Sequence, residues 1–196
     1  MGNNNMSGAL PSTLIKCTKL QIIDLKSNSF CGELTKVNFS NLPNLKTLDL
    51  MGNKFNGTIP ESIYSRKNLT ALRLSSNRFH GQLSEKISNL KSLSFLSLVD
   101  ISLTNITSAF QILRSGRNLT SLLIGLNFKH EIMPEDDIIE GFENLQVFSM
   151  KDCSLSGKMP PWLSKLKNLE RKPDWIGNLD SLFYIDISIR VKFQQP

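Results

Sequence analysis

The sequence predicts a solenoid, in which short parallel strands stack turn upon turn into one curved sheet while loops and brief helical turns close the other side. Three observations carry this. A leucine recurs at Leu20, Leu45, Leu69, Leu93, Leu119, Leu145 and Leu169, at spacings of 25, 24, 24, 26, 26 and 24 residues. Three and five residues after each of the first six markers the chain is apolar: Ile23 and Leu25, Leu48 and Leu50, Leu72 and Leu74, Leu96 and Leu98, Leu122 and Ile124, Phe148 and Met150. This alternation is that of a half-buried strand. Asparagine follows eight residues after the marker at Asn28, Asn53, Asn77 and Asn127, with glycine further on at Gly32, Gly57, Gly81 and Gly157.

Each part has a physical task, clearest in the copy Leu45–Pro60, LKTLDLMGNKFNGTIP. The odd strand positions enter the core and the even ones face outward. The asparagine amide satisfies backbone groups where the strand turns away, and glycine permits the turn that follows. One such unit cannot bury its own apolar face, so stability comes only from stacked neighbours. A period of this length and composition defines a leucine-rich-repeat solenoid of α/β-type repeat architecture. It has a curved parallel β-sheet on the concave face, with loops and short 3-10 or α turns on the convex face. We read residues 1–196 as a single such domain of about seven to eight full or partial repeats.

The departures from the pattern are informative. The copy opening at Leu93 has Ile101 for asparagine and no proline, and its SAFQIL run predicts that the return loop relaxes into helix. The next return loop gathers Glu131, Glu135, Asp136, Asp137 and Glu140 beside His130, which we read as hydrated acids and not a metal site. Arg66 stands where the other copies place Cys17, Leu42, Leu90, Phe142, Leu166 and Leu179, so its head group should snorkel out of the core. Leu169 and Leu182 are only 13 residues apart, which predicts half a repeat missing near residues 170–173. Cys17, Cys31 and Cys153 form no paired motif and read as small buried thiols. No polar or disulfide cap is evident at either end, so the solenoid reads as uncapped.

Composition excludes other classes. The net charge is +6, but the 23 Lys and Arg are scattered, which argues against nucleic-acid binding. No run is long enough to cross a membrane and no leader is evident, so no membrane insertion by this chain is expected. There is no kinase phosphate loop, strand lysine or catalytic loop, and His80 and His130 lie in loops without a paired nucleophile or ligand set. The expectation is a non-enzyme with no cofactor and no metal.

Runs such as KSNSFCGELTKVNFSNLPNLKTLDL and GFENLQVFSMKDCSLSGKMPPWLSKLKNLE, with Ile59-Pro60, Met133-Pro134 and Met159-Pro160, resemble the plant extracellular subclass of leucine-rich repeats. In particular they resemble ectodomains of phytosulfokine-receptor-like and tyrosine-sulfated-peptide-receptor-like proteins. The resemblance implies a fragment of a receptor-like ectodomain at the extracellular face of the plasma membrane. It would bind a peptide or protein ligand, acidic or sulfated, together with a co-receptor, in cell-surface signalling. The alternative is a non-catalytic scaffold or truncated fragment without receptor activity. Sequons at Asn5, Asn38, Asn56, Asn68, Asn105 and Asn118 fit a glycosylated secretory protein.

The outward strand positions define the expected ligand-binding strip: Asp24, Lys26, Asp49, Met51, Arg73, Ser75, Phe95, Ser97, Ser149 and Lys151. Lys26, Arg73 and Lys151 are the cations expected to meet an acidic or sulfated ligand.

Overall fold

The computed structural model describes residues 1–135, 141–166 and 168–169. The expected half-repeat at 170–173, and Asp136, Asp137 and Glu140, lie outside the described residues. Within them the repeats stack as expected. Six strands, β1 (Ile22–Asp24), β2 (Thr47–Asp49), β3 (Ala71–Arg73), β4 (Phe95–Ser97), β5 (Ser121–Leu123) and β6 (Val147–Ser149), form one parallel sheet in chain order. The register aligns Ile23, Leu48, Leu72, Leu96, Leu122 and Phe148 in a single buried file. Equivalent leucines therefore meet turn upon turn, and a one-residue slip would move every one of them into water.

The asparagine column fastens the turns behind this sheet. The Asn53 side-chain amide donates to the Leu25 and Leu50 carbonyls at 2.9 and 3.0 Å, and its Oδ1 accepts from the Phe30 N–H at 3.0 Å. Asn77 repeats the arrangement with Leu50, Leu74 and the Phe55 N–H. Where the column lacks asparagine, Ile101 is fully buried and offers no amide. Cys153 fills its rung with a weak thiol donor, 3.8 and 3.7 Å from the Ile124 and Lys151 carbonyls. Burial pushes that thiol's pKa up.

Two features went unread in the sequence. A second parallel sheet flanks the first, made of Ser7–Gly8, Ser29–Glu33, Lys54–Gly57 and Arg78–Phe79, with Phe30, Phe55 and Phe79 stacked beneath it at centroid separations of 6.3 and 6.5 Å. A further file of amides, from Asn44, Asn118, Asn144 and Asn168, donates to the carbonyls of Thr18, Lys91, Arg117 and Glu143 in the preceding turns.

The predicted helix is present as α1 (Ile106–Leu113), an eight-residue helix where the other return loops hold 3-10 turns of three to five residues. Asn105 caps its N-terminus by accepting from the Ser108 N–H at 3.1 Å. The Glu131 carboxylate of the next turn accepts the Asn105 and Ile106 N–H groups, both at 2.7 Å. This corrects the reading of Glu131 as a hydrated surface acid: a carboxylate is the acceptor best suited to the positive end of a helix. We expect Glu131→Ala to cost about 1–2 kcal/mol, read by urea denaturation, and Glu131→Gln to recover part of the loss. Because α1 is bulkier than its neighbours, a recess of about 750 Å³ opens beside it, lined by Leu90, Lys91, Ile112, Arg117 and Glu143 among others.

The cysteine expectation is corrected in part: Cys153 is buried, whereas Cys17 and Cys31 are exposed. Cys17 belongs to the first turn, where no described turn covers it. Arg66 behaves as expected. It is half-buried where Leu42 and Leu90 are fully covered, and its guanidinium turns out to Ser65 Oγ at 3.0 and 3.2 Å. We expect Arg66→Leu to add about 1 kcal/mol and raise Tm by roughly 2–4 °C; a fall in Tm would mean that the position does not face the core.

Candidate functional site

The concave sheet presents three parallel rows of outward positions, fixed by the same register. One row runs Ile22, Thr47, Ala71, Phe95, Ser121, Val147, and the next runs Asp24, Asp49, Arg73, Ser97, Leu123, Ser149. The third, just past the strands, is Lys26, Met51, Ser75, Val99, Gly125, Lys151. Its turns stay in step through backbone bonds from Ser27 to Met51, Gly52 to Ser75, Ser76 to Val99, Asp100 to Gly125 and Leu126 to Lys151. Gly125 is required here, because a Cβ would lie 2.7 Å from the Lys151 carbonyl oxygen.

All ten expected binding residues fall on this face, but not at one depth. Asp49, Ser75, Ser97 and Ser149 are buried. Ser75 and Ser97 share a hydroxyl–hydroxyl bond of 2.6 Å, and Ser75 Oγ also accepts the Val99 N–H. These groups form the floor of the strip. Asp24, Lys26, Met51, Arg73, Phe95 and Lys151 are half-buried and form its accessible surface together with Thr47, Ala71, Val99, Val147 and the exposed Ile22.

Two of the three expected ligand-pairing cations, Arg73 and Lys26, already have carboxylates of their own. Arg73 Nη1 lies 3.0 Å from Asp49 Oδ2, and its guanidinium sits over the Phe95 ring at 5.4 Å from the centroid. Lys26 Nζ lies 3.5 Å from Asp24 Oδ2. The Asp49 carboxylate is 6% exposed, so separating Arg73 from it would leave a buried charge unpaired. Burial raises the Asp49 pKa above its ordinary value, while Arg73 and the Met51 N–H pull it back. The sign follows from linkage. With the folded pKa above the unfolded one, Asp49 contributes most when protonated, and that contribution is lost as pH rises from the ordinary carboxylate range through the raised value.

The six sequon asparagines Asn5, Asn38, Asn56, Asn68, Asn105 and Asn118 are exposed, and none lies in the three concave rows. Asn105 donates from Nδ2 to Gln82 while its Oδ1 caps α1, so a glycan on Nδ2 leaves the cap in place. Among the described residues no cluster of histidine, cysteine or carboxylate groups could hold a metal, and no helix is long and apolar enough to cross a membrane.

Stacked parallel strands, a buried leucine file and an asparagine column together define this as a leucine-rich-repeat solenoid. Models of leucine-rich repeats match residues 18–79 and 144–166. The chain's relatives are plant receptor-like proteins. It is 49% identical over 139 residues to Receptor-like protein 3 of Arabidopsis thaliana, covering 69% of this chain and 18% of that protein. It is 43% identical over 76 residues to Phytosulfokine receptor 1 of the same plant, covering 39% of this chain and 7% of that one. The chain thus spans less than a fifth of these relatives. Among solved structures it is similar to the plant peptide hormone receptor RGFR1 in complex with RGF2, with a TM-score of 0.75 and 32% identity over 86% of this chain and 26% of that one. It is also similar to PEPR1 in the PEPR1–AtPEP1 structure, with a TM-score of 0.74 and 28% identity over 86% of this chain and 23% of that one.

Proposed function

We propose that this chain is a ligand-recognition segment of a plant receptor-like ectodomain, reading a peptide or protein on its concave sheet at the extracellular face of the plasma membrane. The observation that carries this is the three-row face, built on strands whose register leaves few degrees of freedom and lying apart from every sequon. Similar chains have been solved in complex with peptide hormones, which supports a peptide as the ligand class. Similarity to a chain of the BIR3–SERK2 complex, with a TM-score of 0.51, supports a co-receptor as a further partner. The role is binding, with catalysis left to other parts of a receptor.

Mass spectrometry of the protein isolated from its own tissue tests the location. Glycans are expected on several of Asn38, Asn56, Asn68, Asn105 and Asn118. Bare asparagines at all five would overturn an extracellular receptor role.

A further inference from the structure

Resting on the reading of the concave face as a peptide site, we propose that its ligand is an extended peptide of near-zero net charge, gripped through apolar side chains and not through salt bridges to Lys26 and Arg73. The charges of Lys26 and Arg73 are balanced within the face. Asp24 holds Lys26, and Asp49 holds Arg73 from below while Phe95 packs against the guanidinium. Asp49 already neutralises the guanidinium, so an acidic or sulfated ligand reaching its other N–H groups would also face the Asp49 carboxylate and would gain little.

What the face offers instead is apolar, and it is offered in two rails. Ile22, Ala71, Phe95 and Val147 occupy the row on one side of the charged row, and Met51 and Val99 the row on the other. Rows two residues apart along a strand are separated by about 6.8 Å. A peptide laid across the strands over the middle row would send alternate side chains to opposite sides, one set to each rail. From β1 to β6 the sheet spans five inter-strand steps of about 4.8 Å, or roughly 24 Å, which an extended chain of about seven residues crosses. Recessed hydroxyls of Ser97 and Ser149 beneath that path suit a peptide backbone better than a bulky charged group.

A phage-displayed library of random seven-residue peptides, panned on the immobilised chain, tests this. Enriched peptides should carry apolar side chains at alternating positions and little net charge. Their affinity should change less than about threefold between about 50 mM and 500 mM salt. Val99→Asp and Val147→Asp should each weaken binding by about tenfold or more, and Val99→Ser and Val147→Ser should do so by less, with circular dichroism confirming that each variant is folded. In the double variant D49N/R73Q, which removes the internal pair together, the remaining binding should keep the weak salt dependence of the parent. Enrichment of acidic or tyrosine-sulfated peptides whose binding disappears in D49N/R73Q or at high salt would overturn this inference and leave the peptide-reading role standing. Enrichment of no peptide would overturn the peptide-reading role itself, and this inference with it.

Discussion

Replacing Asn127 with alanine is expected to cost about 3–5 kcal/mol of folding free energy, among the largest losses that a single polar side chain of this protein can produce. The side chain is 1% exposed and its hydrogen-bonding capacity is fully used. Nδ2 donates to the Leu98, Ile124 and Gly125 carbonyls at 2.6, 3.0 and 3.0 Å, and Oδ1 accepts from the Ile101 and Leu103 N–H groups at 3.2 and 3.0 Å. Alanine would leave several buried backbone groups without partners, each costing about 1–3 kcal/mol before relaxation. The loss is concentrated here because the neighbouring rungs at Ile101 and Cys153 are weak, so within this column Asn127 has no strong neighbour. In urea the variant should unfold with a lower midpoint and a shallower slope, since uncoupled ends of a repeat array melt separately. Asn28→Ala, at the half-buried first rung, should cost only about 1 kcal/mol. Equal losses at the two positions would show that the amide column is not what joins the turns.

Phe110→Ala should cost about 3–5 kcal/mol. Phe110 is fully buried on α1, and its ring meets Trp162 at 5.1 Å, Phe142 at 6.2 Å and Phe148 at 6.4 Å between centroids. The helix has Ile106, Ala109 and Leu113 as its other buried residues, so losing Phe110 removes most of what holds it to later turns. Both the helical signal and the far-end turns should soften together on heating, and Phe110→Leu should restore more than half of the lost stability. A loss of under about 1 kcal/mol would mean that the aromatic cluster can close over the void.

Much of this was legible beforehand because it is one-dimensional. The leucine spacing set the strand register, and the strand alternation placed all ten candidate residues on one face. SAFQIL announced α1 through its composition. What escaped reading depends on contacts between turns. The Arg73–Asp49 pair came from residues whose charges were visible but whose meeting was not: Asp49 and Arg73 are 24 residues apart and meet only when β2 and β3 pair. Glu131, 25 residues from Ile106, became a helix cap for the same reason. The flanking sheet was missed because three of its segments offer one buried aromatic each, Phe30, Phe55 or Phe79, among polar residues and glycine, and the fourth offers none, so no alternation declares itself. A regular left-handed turn at Ser27, Gly52, Ser76, Asp100, Leu126 and Asp152 was likewise invisible, since those six positions carry four kinds of residue and only one is glycine.

By itself, then, the sequence determined the solenoid, its period, its buried file and the identity of the residues facing the hollow. These follow from hydrophobic periodicity, which acts within each repeat and needs no knowledge of its neighbours. Only the tertiary structure decided which of those residues are accessible and which charges are already neutralised. Burial and ion pairing arise between turns, where each side chain's surroundings are set by residues a full period away.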